Sequence, residues 1–307
     1  MEIKESQYNF SEMHQRMQFY VDAGILPCCA TAVFKGTDLV DHQTFGFMDL
    51  ETREPLRDDA IYRMASNTKL VTSVALMMLQ EVGLFDLDDP LAKFMPEFGE
   101  MQVLQPHATT EADVHRAKNL ISIRHLLSHS AGLSYGFVEP DSVIDQCYLN
   151  DGINGLGEKD IDLEELCAGI AKLPLAFEPG TSWRYSFATD VCARLVEVLS
   201  GQSFDAFLLQ RIFDPLGMVD TDFWVPQEKA HRLITMYSPE DLFNPMKPGL
   251  NKIDDVITGP YRARPKMLSG GGGLVSTVAD YSAFLRMIVN EGEWSGAQLL
   301  KPETVRL

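Results

Sequence analysis

Cysteine is scarce in this chain, positive charge is short, and no apolar run is long enough to cross a bilayer. The five cysteines (Cys28, Cys29, Cys147, Cys167 and Cys192) are odd in number and show no C-x-x-C spacing. That pattern speaks against a disulfide framework and suits reduced thiols in a cytosol. Lysine and arginine total 26 against 44 acidic residues, a formal net charge of −18. Phosphate backbones and anionic surfaces repel such a chain, so neither nucleic acid nor membrane is expected as a partner. The opening residues, Met1-Glu2-Ile3-Lys4-Glu5, lack the charged-then-apolar layout of a signal peptide. A cytoplasmic protein is expected. Nucleotide fingerprints are missing too: the glycine run at 270–273 has no G-K-[S/T] ending and no βαβ pattern after it. Close backbone packing accounts for those glycines, and no cofactor and no metal are expected.

What is present suffices for a large core. With 307 residues, 45% of them hydrophobic, the length points to about two domains. Phe10, Met13, Met17 and Tyr20/Val21 recur at helical spacing, and Gly24 follows as a stop. Residues 28–34 read as a strand, 35–38 as a turn and 39–48 as a second strand. Helix then hairpin suggests an antiparallel sheet with a helix on one face. Beyond Ser66 the character becomes helical. Helices are expected from Leu70 to a stop at Gly83, over 123–129 between Ser122 and Gly132, over 162–173, over 187–199 before Gly201, and over 204–213 between a Ser203 cap and Pro215. Thr277 and Asp280 are spaced as a capping box. Two polar stretches, 99–119 and 138–160, show no periodicity and read as long loops.

Ser66-Asn67-Thr68-Lys69 opens the first of these helices. Residues three apart share a helix face, so Ser66 and Lys69 meet at the first turn. The N–H groups of that turn carry the positive end of the helix dipole, which suits an anionic intermediate. One short segment thus delivers a nucleophile, a candidate base and an oxyanion donor, the S-x-x-K pattern of serine acyl-enzymes.

Other segments compete. Gly132-Leu133-Ser134-Tyr135-Gly136 fits G-x-S-x-G, the nucleophile elbow of α/β-hydrolases. That elbow needs a strand entering and a helix leaving, whereas here a helix enters and a loop leaves. His125 and His129 lie four apart on one helix, but without the glutamate of H-E-x-x-H they read as a packed or capping pair. Trp183-Arg184-Tyr185-Ser186-Phe187 follows a Pro-Gly turn and precedes a helix. A tyrosine there either anchors the loop by its ring or, beside a lysine ammonium, shuttles a proton to and from a serine.

Taken in order along the chain, several segments resemble the serine β-lactamase and penicillin-binding protein superfamily. They are 62–69, 83–90, 123–133, 177–180 with Trp183 and Tyr185-Ser186, 212–218 and 270–277. The likeness is nearest to the family VIII carboxylesterases and class C β-lactamase-like serine hydrolases. It implies an α+β fold: an antiparallel sheet flanked by helices (1–63 with 266–307) beside a mostly helical domain (64–265), with the active site in the groove between them. It maps the nucleophile to Ser66, the lysine to Lys69 and the tyrosine to Tyr185, with Trp183 and Phe187 as substrate contacts. Phe187 stands where the family's Y-x-N motif places an amide, which suits simple esters better than β-lactams. The third motif, K-T-G or a His/Trp-x-Gly variant, lies on a later strand of the family's sheet; no K-T-G occurs, and the sequence stops at Leu307 within an expected helix from Pro302. The resemblance therefore implies missing C-terminal sheet strands, one missing oxyanion donor and a less active chain.

The reading is a serine hydrolase that cleaves short-chain carboxylic esters through an acyl-enzyme on Ser66, with Lys69 and Tyr185 moving the proton and either able to be the base. Its partner is a small-molecule ester or β-lactam. The rivals are β-lactamase or D-alanyl-D-alanine peptidase activity on the same site, a non-catalytic penicillin-recognition-type binding protein, and an α/β-hydrolase using Ser134.

Overall fold

A computed structural model describes residues 2–4, 8–153, 160–254 and 259–307. The chain divides into two compact units: Met1–Met64 with Ile212–Pro265 and Leu274–Leu307, and Ala65–Arg211 with Lys266–Gly273. The expected boundaries differ from this division chiefly at 212–265, and backbone pairing explains the difference. Ile61 N–H donates to the Arg232 carbonyl at 2.7 Å, Ile234 N–H to the Ile61 carbonyl at 3.1 Å, and Thr235 N–H to the Met48 carbonyl at 2.9 Å. Such pairing between distant segments leaves no local signal in the sequence.

The first unit opens with α1 (Ser11–Asp22), β1 (Cys28–Lys35) and β2 (Asp38–Asp49). The two strands pair antiparallel from Cys28 opposite Gly46 to Lys35 opposite Asp38, with a bulge at Val33/Phe34. β3 (Glu54–Pro55) adds a third strand beside β2. Gly46 is required at its place: its φ is +84°, and a Cβ would fall 2.3 Å from the Pro27 carbonyl oxygen. β4 (Tyr62–Arg63) then leads out of this stretch. Of the N-terminal residues read above, Met1 and Glu5 lie outside the described residues.

The second unit begins with a 3₁₀ turn, Ala65–Asn67, that runs into α2 (Thr68–Glu81). α2 turns Val71, Val74, Ala75, Leu76 and Leu79 into the core. Next come β5 (Gln102–Leu104) and β6 (Val114–Arg116), an antiparallel pair inside the stretch expected to be a loop. Three residues a side are too few to show a period, although Val103 and Leu104 are buried. α3 (Ile123–Leu127) carries the expected Ser122 cap, with His125 completing a capping box. It ends short of Gly132, because His129 already has a φ of +53°.

α4 (Val143–Asn150) lies inside the second expected loop. Its periodicity is masked because the core position at Asp145 is filled by a carboxylate; residues 154–159 of that stretch lie outside the described residues. α5 (Leu163–Ile170) and α6 (Ala188–Ser200) follow, the latter ended as expected by Gly201 in the left-handed region. α7 (Phe204–Leu208) is shorter than expected: Ser203 makes no side-chain cap bond, and the helix widens into a π-helical stretch, Leu209–Phe213.

Pro215, expected as a stop, instead sits inside the short α8 (Asp214–Leu216), where a proline near the first position loses no bond. The first unit is completed by β7 (Met236–Pro239), β8 (Leu250–Asp254), β9 (Val275–Ser276), α9 (Val278–Val289), β10 (Glu293–Trp294), β11 (Ala297–Gln298) and α10 (Pro302–Val305). β7 pairs with β8, β9 with β4, and β10 with β11, all antiparallel. Thr277 caps α9 by accepting from Asp280 N–H at 3.1 Å, but Asp280 does not reciprocate. Its carboxylate accepts from Asp220 N–H at 2.7 Å and the Thr221 hydroxyl at 3.0 Å. All five cysteines are free thiols; three are buried, and Cys28 and Cys29 are half-buried. Among the described residues no helix is long and apolar enough to cross a membrane.

The two faces of α2 give a direct test of this packing. Leu76 is fully buried while Leu70 is 41% exposed. Urea denaturation should show Leu76→Ala losing about 2–5 kcal/mol and Leu70→Ala staying within about 0.5 kcal/mol of the parent.

Candidate active site

Ser66 lies in the 3₁₀ turn before α2, one residue after Ala65, whose φ of +43° puts a residue with a Cβ in the left-handed region. That turn leaves Ser66 exposed while most of α2 behind it is buried. Lys69, in the first turn of α2, brings its Nζ to 3.3 Å from Ser66 Oγ, as the spacing predicts. The same ammonium donates to the Gly271 carbonyl at 2.6 Å. Tyr185 completes the set: its Oη is 2.5 Å from Ser66 Oγ, and Lys69 Nζ lies 4.6 Å from the centre of its ring. The three residues matched by resemblance thus meet around one hydroxyl.

The loop that carries Tyr185 is fixed by its neighbour. Arg184 N–H donates to the His129 carbonyl at 2.9 Å. The Arg184 guanidinium donates to Ser134 Oγ at 2.7 Å and to Glu139 at 2.7 Å, and lies 3.1 Å from Asp145. Asp145 is fully buried and also accepts from the Ser134 hydroxyl and from Glu139 N–H at 2.6 Å. Ser134, the nucleophile of the rival reading, is therefore a buried member of an ion-pair network, with α3 before it and no strand entering it. That placement is opposite to the exposed, strained serine of a nucleophile elbow.

Aromatic rings pack around Tyr185. Tyr135 lies 5.2 Å away, Trp183 stacks at 6.5 Å and His129 at 5.1 Å, ring centre to ring centre. Trp183 is 65% exposed beside Tyr185. Phe187 is placed otherwise than expected: it is 2% exposed, 4.5 Å from Tyr135 and stacked on Tyr148, so its ring backs Tyr135 instead of meeting solvent. The two histidines divide as capping and packing residues. His125 Nδ1 accepts from Ser122 N–H at 3.2 Å, and His129 Nδ1 lies 3.3 Å from Ser186 Oγ. Among the described residues no group of three or more His, Cys, Asp or Glu side chains is set to hold a metal.

Sequence reasoning passed over Tyr135, His129 and Asp190 as participants. Asp190 sits in the first turn of α6, accepting from Ser269 Oγ at 2.6 Å and from Gly271 N–H at 3.0 Å. Burial pushes its carboxyl above the usual range, against the pull of these donors and of Lys69. Tyr135 Oη reaches the same carboxylate at 3.5 Å, and burial with the Asp190 charge drives this phenol upward. Two glycines of the run are explained by contact, as expected. A Cβ on Gly270 would lie 2.6 Å from the Ala193 Cβ, and one on Gly271 would lie 2.4 Å from Asp190 Oδ2. The available signal was a polar residue at a core position of α6 together with glycines that no turn requires.

A hydroxyl shared between a phenol and a lysine at a helix start, in a fold of helices and small antiparallel sheets, defines the β-lactamase-like serine enzymes. Comparison with known proteins agrees: residues 13–307 match the family described as Beta-lactamase, and the chain belongs to it. It is 34% identical over 286 residues to protein Rv1367c of Mycobacterium tuberculosis, covering 93% of this chain and 68% of that protein. It is 36% identical over 179 residues to esterase EstB of Burkholderia gladioli, covering 58% of this chain and 42% of the esterase. Among solved structures, EstCE1, described as a hydrolase with promiscuous acyltransferase activity, superposes with a TM-score of 0.81 at 25% identity, over 97% of this chain and 75% of its own.

His129 supplies a pH test. Burial, and secondarily the Lys69 charge, push its imidazole from 6.5 down to about 4. The folded state then holds fewer protons than the unfolded state between these values. This contribution to stability is fully present above about 6.5 and is lost as pH falls toward 4. The melting temperature should drop across that window, and His129→Gln should flatten part of the drop; an NMR titration of the imidazole should place its midpoint near 4.

Proposed function

We propose that this chain carries the active site of a serine carboxylesterase, which cleaves short-chain carboxylic esters through an ester formed on Ser66. The observation that carries the reading is the position of Ser66 Oγ, 2.5 Å from Tyr185 Oη and 3.3 Å from Lys69 Nζ. Lys69 donates to the serine oxygen and to Gly271, so Tyr185 is the nearer acceptor for the serine proton, with the ammonium stabilising the phenolate. Ser66 Oγ attacks the ester carbonyl as its proton passes to Tyr185. The tetrahedral oxyanion collapses, the C–O bond to the alcohol breaks, and Tyr185 returns the proton to that leaving oxygen. The positive end of α2 favours the oxyanion. Water then repeats the sequence on the acyl-enzyme and releases the acid.

The names of two relatives support ester chemistry: one is an esterase, the other a hydrolase with promiscuous acyltransferase activity. The latter favours a second outcome at the same intermediate, attack by an alcohol in place of water. Esters are preferred over β-lactams in this reading because residue 187 offers a buried ring and no amide to bind an acylamino group. Five free thiols suit a reducing cytoplasm.

Two measurements test the proposal. Ser66→Ala should lower kcat/KM for p-nitrophenyl butyrate by at least about 10³-fold, whereas Ser134→Ala should still be labelled on Ser66 by a fluorophosphonate. The reverse pattern would move the nucleophile to Ser134. In the parent enzyme, kcat/KM for the butyrate ester should exceed that for nitrocefin by about 10²-fold or more; equal values would remove the ester preference.

A further inference from the structure

We infer that Asp190 is a positioning residue for Lys69, acting through the backbone of Gly271. The inference rests on the reading of Ser66 as nucleophile. The described hydrogen-bond partners of the Lys69 ammonium are neutral, the Ser66 hydroxyl and the Gly271 carbonyl, with the faces of Tyr185 and Tyr135 alongside. Gly271 links that ammonium to an acid. Its carbonyl accepts from Lys69 Nζ at 2.6 Å, and its own N–H donates to Asp190 Oδ1 at 3.0 Å. Ser269 ties the segment a second time, donating its hydroxyl to Asp190 at 2.6 Å and accepting from Gly272 N–H at 3.1 Å. A Cβ at residue 271 would strike Asp190 Oδ2 at 2.4 Å and Tyr135 Oη at 2.7 Å, so only glycine lets the backbone come this close.

Asp190 is 1% exposed, in a helix whose other buried neighbours include Val191, Cys192, Ala193 and Leu195. An apolar residue would fill that position without desolvating a carboxylate, so core packing alone does not call for an acid. What the acid adds is a fixed acceptor for Gly271 and a negative charge behind the ammonium. The charged and titratable groups facing it are Lys69 from α2, Tyr135 from the loop after α3, and the buried thiols of Cys167 and Cys192. His129 and Tyr185 also lie beside Lys69.

The test is the rate at which a fluorophosphonate labels Ser66, measured against pH in the full chain. Asp190→Asn keeps an oxygen for Gly271 and Ser269 but removes the charge. Asp190→Ala removes both. Labelling should slow about 10-fold in the first and about 10²-fold in the second, the order expected for a displaced catalytic group. In Asp190→Asn the whole rate profile should also move to lower pH, because losing an anion eases the departure of every neighbouring proton. Ser269→Ala, which leaves the charge in place, should not move it. If Asp190→Ala fails to fold, the Asn and Ser269 variants carry the same test. Wild-type rate and profile in folded Asp190→Asn, or a slowed rate with an unmoved profile, would overturn the role of Asp190 alone. Absence of labelling in the wild-type protein would overturn the nucleophile reading on which it rests.

Discussion

Two hydroxyls that are 119 residues apart in sequence meet at 2.5 Å in the second unit, and much of that unit is arranged around their approach. Each side is held by a different physical device. Ser66 is held by sterics: a left-handed Ala65 turns the chain into the 3₁₀ turn, and the buried face of α2 leaves the helix no freedom to rotate. Tyr185 is held by electrostatics through Arg184, whose guanidinium is threaded into a cluster containing the fully buried Asp145. Two charges out of water are expensive unless paired and hydrogen-bonded, and removing one partner of such a pair typically costs about 3–5 kcal/mol. The G-x-S-x-G sequence is part of that clamp. Ser134 helps hold Tyr185 in place by donating to Asp145 and accepting from Arg184, one residue before the phenol.

The readable parts of the sequence are those where local chemistry decides. The hairpin of β1 and β2 has β-branched and aromatic runs around a Lys-Gly-Thr-Asp turn. α6 has a long apolar face and a glycine that ends it. Ser66 and Lys69 are one helical turn apart, and Tyr185 came from resemblance to known sequences. Elsewhere the deciding interactions are long-range. α4 carries a carboxylate at a core position because Arg184 reaches it from a distant loop. The strands at 102–104 and 114–116 are three residues each. Phe187 reads as a substrate contact from its place in a motif, yet Tyr135 and Tyr148 enclose it, a fact available only once α3 and α4 are placed.

The four glycines at 270–273 look interchangeable in sequence and are not so in space. Gly270 is pressed against Ala193 and Thr189, and Gly271 against Asp190 and Tyr135. At Gly272 the nearest atom to an added Cβ is 3.8 Å away, ordinary contact distance. A run that reads as low complexity therefore contains two sterically fixed positions next to one with room. The constraint at Gly271 has a chemical counterpart, since the missing side chain is what lets the backbone of one residue touch both an acid and an ammonium.

Trp183 stands one ring away from the paired Ser66 and Tyr185 hydroxyls, stacked on Tyr185 at an interplanar angle of 25° and open to water over 65% of its surface. Indole emission depends on whether water or an apolar group covers the ring. The other two tryptophans, Trp224 and Trp294, belong to the first unit. The molecule thus carries a built-in optical probe beside Ser66, against two emitters assigned to the other unit, and occupancy of the site can be followed without a chromogenic leaving group.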